Sequence, residues 1–232
     1  MECVILAGGL GTRLREVVPD VPKPMARIGS RPFLEIQMDY WIGQGVARFL
    51  LSVGYRHRLI MEHFGTTYRT AAIEYVVEAE PLGTGGAVLG CLGRLNSTSP
   101  FLIVNGDTYF DVSLTAMKDL HRARAADLTL GLFRAGANDR YLGIRLDDSG
   151  QITGLGAGPA SGRILMNGGV YLAQRSAFLD VEWPARRLSF ESEMLPAMKR
   201  SGKRLFGIEC DGTFIDIGLP EDYRRAVEVL TR

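Results

Sequence analysis

Through its first 125 residues the chain alternates short apolar runs with amphipathic stretches. Residues 2–7, 48–53, 73–78 and 101–104 are rich in Val, Ile, Leu and Phe, as befits strands buried on both faces. Between them, apolar positions recur at helical spacing over residues 32–44, 57–64, 85–95 and 113–123. The first of these segments carries Phe33, Leu34, Met38 and Trp41 on one side, and Ser113 can cap the helix that Leu114 begins. Strands alternating with helices require crossover connections, and so a parallel sheet covered on both faces.

The second half reads differently. Residues 127–134, 141–147, 151–155, 169–173 and 204–209 are strand-like pieces joined by short loops, which would extend the sheet and wall a second binding region. Residues 220–230 close the chain as a helix, with Tyr223, Ala226, Val227 and Leu230 toward the core. Ligands of such sheets sit beyond the carboxyl ends of the strands. The Gly8 loop, residues 78–86 and Asn105-Gly106-Asp107 each follow a predicted strand, so they should converge on one crevice.

Composition narrows the choice of ligand. A length of 232 residues allows one large α/β domain or two small ones, burying about 70–75% of the extended-chain surface. The net charge of +1 gives no electrostatic case for nucleic acid or an anionic membrane. Cys3, Cys91 and Cys210 are odd in number and lack metal-type spacing, so reduced thiols are expected. With no stretch long enough to span a membrane, a cytoplasmic protein is expected. His57, His63 and His121 fall on amphipathic segments and read as structural; Arg122, Arg124, Arg186 and Arg187 read as solvated faces. Oligomeric state is not written in the sequence, and a homodimer is the default for an oligomer.

Candidate chemistry concentrates at the first strand's exit. Leu6 and Ala7 lead into Gly8-Gly9-Leu10-Gly11-Thr12-Arg13-Leu14, with Lys23 following between Pro22 and Pro24. Bare backbone lets N–H groups approach a phosphate, and Arg13 and Lys23 can neutralise it. A Walker loop would need Gly-Lys-Ser/Thr, and a dinucleotide fingerprint would need glycine where Leu14 stands. What remains, together with Pro81-Leu82-Gly83-Thr84-Gly85-Gly86 and Asp216-Ile217-Gly218, resembles the sugar-1-phosphate nucleotidyltransferases over essentially the whole chain, most of all their heptose 1-phosphate guanylyltransferase branch.

The resemblance implies a Rossmann-like three-layer α/β sandwich with a mostly parallel, mixed central sheet. It would form a single domain over residues 1–232, with residues 1–125 mainly binding nucleotide and 126–232 mainly binding sugar phosphate. It implies nucleotide contacts at Leu6, Ala7, Gly8, Gly9, Gly11, Thr12, Arg13, Lys23, Glu78, Gly83, Thr84, Asn105 and Gly106, with Arg13, Lys23 and Asp107 as the catalytic groups. It also pairs Asp107 with Asp216 on a shared Mg²⁺, an ion that takes one or two carboxylates plus substrate phosphates. Spacing alone does not pair two acids so far apart, and either could be an ordinary turn residue.

The base is assigned from Glu78, which the resemblance places at the base edge. A carboxylate only accepts hydrogen bonds, so it suits guanine, which offers N1–H beside an amino group. Glu80 is the competing reader, and a solvated strand end the bland alternative. For the acceptor, Tyr141-Leu142-Gly143 resembles the family's Tyr-Gly segment, the amide of Asn167-Gly168 and the Glu191 carboxylate can bond sugar hydroxyls, and Asp216 can contact the sugar phosphate through the metal, although each alone is more often a turn or a cap. One departure stands out: where relatives carry Glu-Lys-Pro, this chain reads Ala157-Gly158-Pro159, so another cation such as Arg163 must face the acceptor phosphate or its binding is weakened. The expected activity is Mg²⁺-dependent transfer of GMP from GTP to a sugar 1-phosphate. Transfer to mannose 1-phosphate, uridylyl transfer to an amino-sugar phosphate, and a non-catalytic nucleotide sensor on the same fold remain alternatives.

Overall fold

In chain order, the first half comprises strands β1 (Glu2–Ala7), β2 (Arg27–Ile28) and β3 (Arg31–Pro32), helix α1 (Phe33–Gly43), strand β4 (Arg48–Val53) and helix α2 (His57–Phe64). Strands β5 (Thr67–Tyr68) and β6 (Ala71–Val77), helix α3 (Gly83–Leu92), strands β7 (Phe101–Asn105) and β8 (Thr108–Phe110), and helix α4 (Leu114–Ala123) follow. The second half adds strands β9 (Leu128–Phe133), β10 (Gly143–Leu146), β11 (Ile152–Leu155) and β12 (Ile164–Ala173), then helices α5 (Ser176–Leu179) and α6 (Leu195–Arg200). It ends with strands β13 (Leu205–Glu209) and β14 (Phe214–Asp216) and helix α7 (Pro220–Leu230). This computed structural model describes residues 1–9, 11, 14, 18–96, 98–134, 142–156 and 164–231.

β6, β4, β1 and β7 run parallel at the centre of one mixed sheet. β12 pairs antiparallel with β7 and carries β10 and β11 on one side and β9 on the other, with β13 parallel to β9. Alternation along β1 sorts its side chains between two cores: Cys3, Ile5 and Ala7 join α1, α2 and α4, whereas Val4 faces α3, α5 and α6. Phe49, Leu51 and Val53 of β4 repeat the first set, and Leu50 the second. The result is the expected three-layer sandwich, with strands buried on both faces. Each such Val, Leu or Phe contributes about 1.5–3 kcal/mol relative to an exposed position.

The helices follow the sequence pattern closely. Phe33, Leu34, Met38 and Trp41 are buried on α1, and Ser113 Oγ caps α4 by accepting from Ala116 N at 3.2 Å. α3 departs from it, starting at Gly83 rather than Gly85. Its glycine-rich first turn is a poor helix former. Tertiary contact compensates, because Gly85 N donates to Leu188 O at 2.8 Å, and a side chain on Gly85 would run into Met194. β14, unforeseen as a strand, pairs with β8 so that Asp216 lies opposite Thr108. Among the described residues no helix is long and apolar enough to cross a membrane.

Candidate active site

The carboxyl ends of β1, β6 and β7 open into a cavity of about 530 Å³. Leu6, Ala7, Gly8, Gly9, Gly11, Lys23, Glu78, Gly83, Thr84, Asn105, Gly106 and Asp107 all line it. The three predicted loops therefore do converge. Thr12, Arg13, Tyr141 and residues 157–163, with Arg163 among them, lie outside the described residues.

The close approach of these loops depends on missing side chains. Gly11 adopts φ of 59°, a backbone region that favours glycine, and a methyl group on it would lie 3.3 Å from Lys23 Cβ. Gly106 N donates to Leu6 O at 3.1 Å, and a methyl group there would sit 2.6 Å from that carbonyl oxygen. Gly54, at the end of β4, is equally tight against Gly8 O. Gly9 differs, since nothing stands within 4 Å of where its side chain would be. Its open side suits an incoming ligand.

Lys23 Nζ donates to Asp107 Oδ2 at 2.6 Å, spanning 84 positions of sequence. The lysine side chain keeps 11% of its exposure and the aspartate 37%. Asp216 belongs to the same cluster: its Oδ1 accepts from Gly218 N at 2.7 Å, and a methyl group on Gly218 would lie 2.7 Å from that oxygen and 2.9 Å from Lys23 Nζ. Ile217 N donates to Asp107 O at 3.0 Å, tying the two acidic turns together. Asp216 itself does not line this cavity. Carboxylate oxygens on two pinned turns are the hard donors that a Mg²⁺ ion prefers.

Glu78, rather than Glu80, reaches the cavity. Its Oε1 accepts from Ser52 Oγ at 2.8 Å and its Oε2 from Leu82 N at 3.1 Å. Each oxygen of an ionised carboxylate retains a second acceptor site. The N-terminal turn of α3, at Gly83 and Thr84, forms the adjoining wall, where the helix dipole favours negative charge.

The predicted acceptor residues form a different group. Glu191 accepts from Thr84 Oγ1 at 2.8 Å, from Tyr171 OH at 3.2 Å and from Asn105 Nδ2 at 3.4 Å. Asn167 donates to Tyr171 OH at 2.7 Å, and its Oδ1 accepts from Gly169 N at 3.2 Å. Burial, and Glu191 beside it, push the Tyr171 hydroxyl well above its ordinary value, so it stays protonated and donates. Gly168 leaves room for Phe110, whose ring would overlap any side chain there, and Gly143 lies in β10 against Ile164. None of these four predicted residues lines the cavity.

Two contributors escaped the sequence reading. Arg187, read as solvated, is exposed yet lines the cavity, packed against Gly83 and without an ion pair to any described residue. Gln37 is 1% exposed, on the apolar stripe of α1. Its Nε2 donates to Asn105 O at 2.8 Å and to Thr108 O at 2.6 Å. A polar residue amid Phe33, Leu34, Met38 and Trp41 was the signal available. No cysteine lines the cavity, and burial pushes the Cys91 thiol up to about 12 and Cys210 up to about 11.

Comparison with known proteins identifies the family. The family model described as Nucleotidyl transferase matches residues 2–232. A D-glycero-alpha-D-manno-heptose 1-phosphate guanylyltransferase of Aneurinibacillus thermoaerophilus is 42% identical over 99% of this chain and 98% of its own length. One from Campylobacter jejuni is 36% identical over 96% and 97%. The crystal structure of HddC from Yersinia pseudotuberculosis complexed with GMP-PN superposes with a TM-score of 0.81, at 32% identity over 98% of both chains. The chain belongs to the nucleotidyl transferase family.

Proposed function

We propose that this nucleotidyl transferase moves the GMP group of GTP onto the phosphate of a sugar 1-phosphate, releasing pyrophosphate. D-glycero-α-D-manno-heptose 1-phosphate is the acceptor we assign, following the two relatives of that name. The product would be an activated sugar for capsule or surface-polysaccharide assembly. One observation carries the reading: bare Gly8, Gly9 and Gly11 backbone, Lys23 and Asp107 share one cavity with the Glu78 carboxylate.

The reaction must bring two anions together and stabilise charge spreading over the transferred phosphorus, with little covalent work for the protein. The Gly8–Gly11 amides and Arg13 would hold the β- and γ-phosphates. Lys23, already partly desolvated beside Asp107, would turn toward the α-phosphate and the attacking phosphate oxygen. Asp107 and Asp216 suit Mg²⁺, and a bound ion would draw charge from the α-phosphate. Glu78 would accept from guanine N1–H and the amino group, whereas uracil or thymine would turn a carbonyl oxygen toward it. Arg187, which lines the cavity without an ion pair to any described residue, would meet a phosphate there.

Calorimetric titration of the four nucleoside triphosphates with Mg²⁺ tests the nucleotide half of this reading. GTP should bind with measurable heat and the other three about tenfold or more weaker, given two charge-assisted bonds at one base edge. Equal affinity for all four would remove the base assignment.

A further inference from the structure

Building on that reading of the acidic pair, we infer that Gln37 is a positioning residue, fixing the turn that presents Asp107. Its two Nε2 protons go to the carbonyls of Asn105 and Thr108, the residues bracketing Gly106-Asp107. Those carbonyls lie 68 and 71 positions away in sequence, so a core helix holds both ends of an active-site turn. The amide orientation is forced, since a flip would turn Oε1 toward two carbonyl oxygens.

The arrangement carries a cost that packing alone does not explain. Gln37 Oε1 is buried without a partner among the described residues, as are Asn105 Oδ1 and Thr108 Oγ1. A methionine would fill the α1 stripe without the orphan Oε1, but it would take the donor away from the Asn105 and Thr108 carbonyls. The two donated bonds offset that cost by satisfying both carbonyls, and in doing so they define the turn. Thr108 also lies opposite Asp216 in the β8–β14 pair, so the anchor extends to the second acid. Losing the anchor should leave the fold standing and loosen the geometry of both carboxylates.

The test uses full-length Gln37→Met, with Met38→Ala as a control that damages the same helix by creating a cavity. Hydrogen exchange of the 105–110 peptide is followed without metal or substrate, and Mn²⁺ binding with GTP present is followed by electron paramagnetic resonance. Gln37→Met should speed exchange and raise the Mn²⁺ half-saturation concentration by about tenfold each, the scale of two lost hydrogen bonds. Met38→Ala should lower Tm at least as much while leaving both readouts within about twofold. Unchanged exchange and Mn²⁺ binding in Gln37→Met, or equal shifts in both variants, would overturn the role. If the wild type releases no pyrophosphate from GTP with any sugar phosphate, the functional reading fails instead, and the exchange measurement still decides whether Gln37 holds the turn.

Discussion

The Glu78 carboxylate lies flush against the backbone of Gly8, so close that any side chain on Gly8 would overlap it. The proposed phosphate loop and base reader are thus one packed unit, steadied by Ser52 and by Leu82 N–H. Glu78→Gln puts an amide donor where an acceptor oxygen stood. We expect kcat/KM for GTP to fall by about 10- to 100-fold and the UTP-to-GTP ratio to rise. Steady-state kinetics with both nucleotides check this, and an unchanged ratio would take base recognition away from Glu78.

Lys23→Ala removes the cation that bonds Asp107 at 2.6 Å. Turnover at saturating substrates should drop by a factor of about 10²–10³, comparable to losing one oxyanion donor. Tm should change little, because Asp107 keeps 37% of its exposure and regains water. Survival of turnover within about threefold would end the role given to this lysine.

Two glycines separate packing from ligand approach. Gly106→Ala must push a methyl group against the Leu6 carbonyl and Ala7 Cα of a central strand, so it should cost about 1–3 kcal/mol. Gly9→Ala meets nothing within 4 Å, so it should leave the melt near wild type while raising KM for GTP. Paired thermal melts and GTP titrations read out the difference; a Gly9→Ala enzyme with unaltered KM would place the phosphates elsewhere.

The sequence pattern disclosed the layered sheet because each central strand is apolar on both faces, as Cys3, Ile5 and Val4 show. It also disclosed the converging loops, since glycines at 8, 11 and 106 mark places where backbone must come close. It did not disclose β14, whose three residues Phe214–Asp216 pair with equally short β8. Nor did it show the early start of α3, which depends on the carbonyl of Leu188, far away in sequence. Arg187 and Gln37 were missed for the same reason. One is an exposed cation whose use depends on what it faces, and the other is a core position whose partners lie about 70 residues away.

His121 supplies a pH dependence unrelated to catalysis. Its Nδ1 bonds Thr129 Oγ1 at 2.9 Å, and burial holds the imidazole below its ordinary 6.5. The unfolded chain therefore takes up the proton first as pH falls through 6.5, so stability present above that pH is lost below it. Thermal melts between about pH 5 and 8 should show a steeper acid-side loss in wild type than in His121→Gln. Parallel curves would contradict the assignment.

The central claim is that Lys23, the Gly8 loop and two distant aspartates act together on a nucleoside triphosphate and a sugar phosphate. Pyrophosphate release from GTP and D-glycero-α-D-manno-heptose 1-phosphate, with Mg²⁺ present, tests it most directly. Release should require both substrates and Mg²⁺, and should fail in Asp107→Asn enzyme whose Tm stays near wild type. Folded wild-type protein that releases no pyrophosphate with any of the four nucleotides and a panel of sugar 1-phosphates would contradict it.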